Sequence, residues 1–302
     1  MKLCYKISMQ KLYSNDINIV FSTDENYAKY CTIAITSIKE TQKEFDNVNI
    51  YILAENLSEK ASKRLKKLSD NKFSINLIEF EKLDVTEIKI QEKSLPNPTY
   101  YKMLLANLLP DINKILYLDS DVIVRKSLKE LWKTDISNYF LAAMPDINEK
   151  MVLEQSEITV HKARYFNAGI MLLNIKKWRE NNLLERFKSF VKNPTAIAKY
   201  SDQCIINYSL KDDEILFLDN RWNFHSEGQV KNVDDIAIIH YVWDKPWDMT
   251  AFNPYRKYYW AIVCKTQWRH EIILYTIVNT IALLKRKTFN FTKKIIKKYR
   301  NQ

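Results

Sequence analysis

Apolar and polar positions alternate along most of the chain in two different rhythms. Residues 17–22 (Ile-Asn-Ile-Val-Phe-Ser) have the apolar content of a buried strand, and a polar turn, Thr23 to Asn26, follows. From Tyr27 to about Glu40 the spacing turns helical. A second strand fits Asn49 to Leu53, a basic amphipathic helix fits Ser58 to Ser69, and a third strand fits Ser74 to Phe80. After the interruption Leu95-Pro-Asn-Pro a helix is expected over Thr99 to Leu109, and then a strand over residues 115–124. Strands alternating with helices imply a parallel sheet covered on both faces, with its ligand crevice at the carboxyl ends of the strands.

The strand at 115–124 is unusual because it ends in two carboxylates, Asp119 and Asp121. In a strand, residues i and i+2 point to the same side, so the two acids are expected to emerge together at the crevice. Hard carboxylate oxygens suit Mg²⁺ or Mn²⁺, which neutralise phosphates, so the pair points to chemistry on a diphosphate-linked substrate. A strand running into an Asp-rich turn is the structural alternative.

Glycine is nearly absent, with only Gly169 and Gly228, so neither a dinucleotide fingerprint nor a phosphate-binding P-loop can exist. Gly169 follows Asn167 at the entrance of an apolar strand that leads into a helix at Lys177 and Trp178. A glycine there marks close approach by a ligand or another backbone, or else a bulge at a sheet edge. Ser201 is a candidate cap for a helix opening with Asp202 and Gln203, where Asp202 could simply compensate the helix dipole. A further apolar strand from Asp235 ends in His240, which could be a ligand or a core histidine, and Lys245 follows five residues later.

The 302 residues, 46% of them hydrophobic, are enough for one large domain with an appendage. The formal charge of +11 is concentrated at the end: after Glu271 there is no acid, and eight lysines and arginines lie between Lys285 and Arg300. The stretch from Trp260 to Tyr299 interleaves those bases with apolar residues, as in a helix lying on an anionic membrane surface; a nucleic-acid tail is the less favoured reading. Its longest apolar run, Ile272 to Leu284, is too short to cross a bilayer. The four cysteines form no C-x-x-C pair, and Met1 to Asn18 alternates without a signal-peptide core, so a cytoplasmic protein peripheral to the inner membrane face is expected.

Five blocks together resemble glycosyltransferase family 8 over about residues 17–250: Ile19 to Asp24 with Asn26 and Tyr27, Leu116 to Asp121, Phe166 to Gly169 with Lys177 and Trp178, Asp202 with Gln203, and His240 with Tyr241 ahead of Lys245 to Trp247. The resemblance implies a GT-A fold, a Rossmann-like mixed sheet flanked by helices, over residues 15–259, with residues 260–302 as the basic helical extension. It implies retaining transfer of galactose or glucose from a UDP-sugar to a carbohydrate-bearing acceptor. Asp119, Asp121 and His240 would hold Mn²⁺, with Mg²⁺ as the alternative. Ser22, Asp24, Asn26 and Tyr27 would hold the uridine and Ser120 would line the donor site, while Lys245 would pair with the diphosphate. Asn167, Gly169, Asp202, Gln203 and Asp146 would surround the sugar, with Gln203 too weak a nucleophile for a covalent intermediate.

Two positions depart from the family pattern. Lys102 follows Tyr100 and Tyr101 where the family commonly has arginine, and the segment Tyr241 to Asp244 lacks the usual glycine and carries Trp243. Rival readings are a haloacid-dehalogenase-type phosphohydrolase, with Asp234 and Asp235 as its later acids, and an inactive sugar-nucleotide-binding protein.

Overall fold

The computed structural model describes residues 15–89, 96–155, 163–192, 201–250 and 252–300. Among the described residues ten strands form two sheets: β1 (Ile17–Asp24), β2 (Val48–Glu55), β3 (Phe73–Phe80), β4 (Lys114–Leu118), β5 (Val122–Val124), β6 (Leu141–Pro145), β7 (Phe166–Asn174), β8 (Ile215–Phe217), β9 (Phe224–His225) and β10 (Ile238–His240). The larger sheet runs β3-β2-β1-β4-β7-β6-β8, and the smaller runs β5-β10-β9.

The alternation of strands and helices predicts a parallel sheet, and β3, β2, β1 and β4 are indeed mutually parallel. The second half departs from it, because β7 runs antiparallel to both β4 and β6. The sheet is therefore mixed. Its strands are nearly continuous in apolar residues because both faces are covered. On β1, Ile17, Ile19 and Phe21 face the cluster containing Cys31, Ile35 and Ile38 of the helix Ala28–Thr41. Val20 faces the opposite cluster, with Tyr100, Trp178 and Phe187.

Several element boundaries differ from the sequence pattern. The helix expected over Thr99 to Leu109 is three short pieces, Pro98–Tyr101, Lys102–Leu104 and Leu105–Leu108, with a tighter 3₁₀ turn at Lys102. The expected strand 115–124 is two: β4 stops at Leu118, and β5 begins at Val122 in the other sheet. Asp119 and Asp121 thus sit in the turn between sheets, and that turn, not the pleat of one strand, brings them together. Gly169 lies inside β7, an interior strand, so the edge-bulge reading fails; the register shift lies on β6, between Ala143 and Pro145. Ser201 precedes the helix Asp202–Ser209 without capping it through its side chain; its hydroxyl instead pairs with that of Tyr100, and its backbone holds φ 49°. That left-handed conformation is uncommon outside glycine and asparagine, and it directs the chain into the crevice at Asp202.

The small sheet aims β10 at the turn between the two acids. His240 pairs with Val122 in antiparallel register, and Tyr241 N–H donates to Asp121 O at 3.0 Å. Ser37 Oγ accepts from Val124 N–H at 3.0 Å, tying β5 to the first helix.

Past the sheets, the helix Arg256–Val263 spans the expected boundary between residues 259 and 260, and a turn separates it from the 32-residue helix Arg269–Arg300. Tyr259, Val263, Trp268 and Ile272 belong to the same core cluster as β1 and β2. Glu271 accepts from Lys60 at 3.1 Å and from Arg64 at 2.7 Å, fastening the root of the long helix to the helix Glu59–Lys66. No described helix is long and apolar enough to cross a membrane.

Trp178 is 1% exposed, and its indole N–H donates to Phe140 O at 2.8 Å. Replacing it with alanine is expected to cost roughly 3–5 kcal/mol. Equilibrium unfolding in urea reads this as a lower midpoint at unchanged slope; a loss below about 1 kcal/mol would contradict its place in the core.

Candidate functional site

A cleft of ≈ 790 Å³ opens at the carboxyl ends of β1 and β4, a size suited to a drug-sized ligand. Of the site residues predicted from sequence, Ser22, Asp24, Tyr27, Lys102, Asp119, Ser120, Asp121, Asp146, Asn167, Gly169, Asp202, Gln203 and His240 line it. Asn26 and Lys245 are not among its lining residues.

At the floor, Asp119, Asp121 and His240 each offer one ligand atom within 4.8 Å of the others. Each carboxylate is divided in use. Asp119 Oδ1 accepts from the Tyr117 hydroxyl at 2.9 Å, while Oδ2 faces His240 Nε2 at 3.9 Å. Asp121 Oδ2 pairs with Lys245, while the buried Oδ1 has no hydrogen-bond partner and lies 3.3 Å from His240 Nε2. A buried unpaired carboxylate oxygen with a second carboxylate and an imidazole converging on it calls for positive charge between them. These residues therefore fit a divalent cation, with two hard oxygens and one imidazole nitrogen as donors.

Gly169 is essential to that arrangement. A Cβ built on it would stand 2.3 Å from His240 Cε1 and 2.7 Å from Asp119 Oδ2. Its φ is not in the left-handed region, so the requirement is close approach alone. The carbonyl of Gly169 also accepts from Asp119 N–H at 2.7 Å, locking the acidic turn to β7.

Two lysines, Lys102 buried and Lys245 half-buried, balance the acids. Lys102 Nζ donates to Asp202 Oδ2 at 2.9 Å and to Ala168 O at 3.3 Å, and it lies 3.5 Å from Asp119 Oδ1. Burial opposes its charge, yet Asp119 and Asp202 together hold the ammonium well above its ordinary range, so it stays cationic. Lys245 Nζ donates to Asp121, to Tyr241 O at 2.7 Å and to Val242 O at 2.9 Å. Burial would raise the Asp121 carboxyl, but Lys245 and then His240 outweigh it and keep it below the usual carboxylate range.

Toward the sugar side expected from the sequence, side-chain amides form a continuous network. Asn167 Nδ2 donates to Asp146 at 3.3 Å and to Gln203 Oε1 at 3.2 Å, and Gln203 Nε2 donates to Asp146 at 3.1 Å. Gln203 Oε1 also accepts from Ala168 N–H at 3.0 Å. At the other end, Asp24 Oδ1 accepts from Tyr27 N–H at 2.9 Å, shaping the turn after β1. Trp243 stands 57% exposed at the rim, its N–H and that of Asp244 both held by Glu227 Oε1.

Sequence reasoning missed Tyr117 and Asn223. Tyr117 was findable, since it lies two residues before Asp119 on the same side of the strand. Asn223 was not: it sits between Trp222 and Phe224 in no chemical motif, yet it is buried and hydrogen-bonded to both His240 and Asn167. Asp234 and Asp235 lie on a 3₁₀ turn ahead of β10 with no place in the cleft, which removes the support for a phosphohydrolase.

Comparison with known proteins agrees with this geometry. The chain is 34% identical over 219 residues to a putative glycosyltransferase of Haemophilus influenzae, covering 70% of this chain and 64% of that protein. It therefore spans somewhat less than two thirds of that relative. It is 25% identical over 281 residues to a lipopolysaccharide 1,2-glucosyltransferase of Escherichia coli K12, covering 85% and 80% of the two chains. The solved structure of the galactosyltransferase LgtC superposes with a TM-score of 0.70 at 24% identity, covering 84% of this chain and 99% of that one, so the fold is of the GT-A type. Residues 18–251 match the model of glycosyl transferase family 8, and the chain belongs to that family.

Proposed function

We propose that the protein is a retaining hexosyltransferase that takes galactose or glucose from a UDP-sugar in the presence of Mn²⁺ or Mg²⁺. The observation that carries this reading is the convergence of Asp119, Asp121 and His240 on the floor of the cleft. A divalent cation held by these three residues would neutralise the diphosphate and stabilise it as the leaving group. Family membership and the relatives named above support a hexose as the group transferred.

The chain's own residues have separable tasks on this reading. Ser22, Asp24, Tyr27 and Ser120 hold the nucleoside end, with Asn26 on the same turn but outside the cleft lining. Lys245, now paired with Asp121, lies close enough to the acidic turn to answer negative charge arriving on the diphosphate. Lys102 keeps Asp202 and Asp119 in place beside the sugar. Asn167, Gly169, Asp146, Asp202 and Gln203 surround the transferred ring.

Retention is best served here by attack from the front face. The acceptor hydroxyl oxygen bonds to the anomeric carbon as the carbon–oxygen bond to the phosphate breaks, and the hydroxyl proton passes to a departing phosphate oxygen. A covalent route is disfavoured because Gln203 Oε1 already accepts two hydrogen bonds and Asp202 is engaged by Lys102.

The long helix supplies the proposed attachment. Ile273, Leu274, Ile277, Val278, Ile281 and Leu284 are exposed along it, and the basic run beginning at Lys285 continues the same helix. An apolar stripe ahead of such a run suits the anionic inner leaflet, where each basic residue contributes on the order of 1 kcal/mol. Residues 15–259, together with the packed segment through Ile272, then carry catalysis, the exposed remainder of residues 260–302 attachment, and a carbohydrate-bearing acceptor on the membrane would be within reach on the cytoplasmic side.

A panel of UDP-sugars with Mn²⁺, scored by UDP release, is expected to single out one hexose donor. Asp121→Ala should lower that rate by roughly 10²–10³-fold or more with folding intact; turnover surviving this change would overturn the assignment. Gly169→Ala, by forcing His240 and Asp119 apart, should reduce the rate on the same scale without losing the circular dichroism of the fold. In flotation assays the chain should bind anionic vesicles and ignore neutral ones. Truncation after Thr276 spares the packed root and should abolish that binding, and retention of vesicles by the truncated chain would refute the membrane role.

A further inference from the structure

The buried amide of Asn223 touches both halves of the cleft floor. Its Oδ1 lies 2.9 Å from His240 Nδ1, and its Nδ2 lies 3.0 Å from Asn167 Oδ1. Which end of each amide faces which neighbour is set by partners that cannot reverse. Asn167 Oδ1 accepts from the backbone N–H of Gly169 at 3.0 Å, and a backbone N–H only donates. Asn167 Nδ2 faces the Asp146 carboxylate, which in its ionised form only accepts. Turning Asn167 over would oppose donor to donor and acceptor to acceptor at once. Its oxygen is therefore fixed toward Asn223, which must answer with Nδ2 and so present Oδ1 to the imidazole. A carbonyl oxygen can only accept, so Nδ1 meets it as N–H. Nε2 faces acceptors as well, Asp121 Oδ1 at 3.3 Å and Asp119 Oδ2 at 3.9 Å, but both stand farther off than the 2.9 Å to Asn223, so the neutral ring carries its one proton where the better-formed bond is, on Nδ1.

We infer that Asn223 is a positioning residue that holds His240 as the Nδ1–H tautomer, leaving the Nε2 lone pair directed at the site formed with Asp119 and Asp121. The inference rests on the metal-binding reading given above and adds to it how the third ligand is prepared. Metal-bound histidines ordinarily donate their second N–H to an acceptor that fixes ring orientation, and loss of that acceptor typically weakens metal binding 10–100-fold. Here the acceptor is an amide whose own direction is dictated through Asn167 by the Gly169 backbone. The same strand that brings Gly169 against the imidazole thus also decides which of its nitrogens carries the proton. The network continues through Asn167 to Gln203 and Asp146, so the cation site and the sugar-side residues share one hydrogen-bonded frame.

The test has two independent readouts. In the metal-free chain labelled with ¹⁵N-histidine, in alkaline buffer, the His240 resonance, assigned by its loss in His240→Gln, should show a protonated Nδ1 and an unprotonated Nε2. Asn223→Leu should shift it toward the Nε2–H form, and Asn223→Asp, which keeps an acceptor toward the ring while giving up the donor to Asn167 Oδ1, should restore Nδ1–H. Titration with Mn²⁺ alone, followed by the electron paramagnetic resonance of the free ion, should give a dissociation constant roughly 10–100-fold higher in Asn223→Leu than in the unaltered chain, with Asn223→Asp recovering most of the loss. A wild-type ring protonated on Nε2, or Mn²⁺ affinity unchanged in Asn223→Leu, would overturn the inference. If Asn223→Leu does not fold, the wild-type tautomer and Asn223→Asp still decide it. Absence of Mn²⁺ binding in the unaltered chain would sink the metal reading instead, while the tautomer measurement would go on judging Asn223.

Discussion

Everything at the cleft floor depends on an electrostatic mismatch: two carboxylate oxygens and an imidazole nitrogen face one another in a half-buried space. Folding holds them there because each has a second attachment. Tyr117 and Lys102 occupy Asp119, Lys245 occupies Asp121, and Asn223 occupies the far side of His240. Each remaining acceptor is left aimed inward, a costly arrangement in low dielectric unless a cation joins it.

The scaffold that imposes the mismatch is the junction of two sheets. β4 and β7 belong to the large sheet and carry Asp119 and Gly169; β5 and β10 belong to the small sheet and place His240 opposite Val122. Gly169 is where the two come closest, since the space of its missing side chain is taken by the imidazole and a carboxylate. In a chain with only two glycines, one stands where these side chains meet. The long helix beyond the junction is joined to the same core through Trp268 and Ile272, so a surface contact made by its exposed stripe would be held at a set orientation to the cleft.

Lys102 and Trp243 show how one family pattern can be varied without losing the site. Lysine satisfies two acids and a carbonyl from a single ammonium and lies 4.6 Å from the centre of the Tyr117 ring, work that needs charge but not the planar fork of arginine. Trp243 meets no crowding because it stands largely in solvent, and Glu227 steadies its backbone where a glycine is usual.

Much of this was legible in the order of residues. The first three strands and their helices follow from periodicity, since burial on both faces leaves runs of Ile, Val and Phe that solvent-facing segments do not tolerate. The acids, the histidine and the glycine stand out because each breaks its apolar surroundings, and a residue that costs stability where it stands invites a chemical reason. What sequence could not reach were relations between segments distant along the chain: that 115–124 divides between two sheets, that β7 reverses direction, that Lys245 folds back on Asp121, and that Asn223 bridges His240 to Asn167. Local preference is set by a residue and its near neighbours, whereas the direction of a strand, the partner of a buried lysine and the protonated nitrogen of a histidine are set by which surfaces the whole chain must bury together.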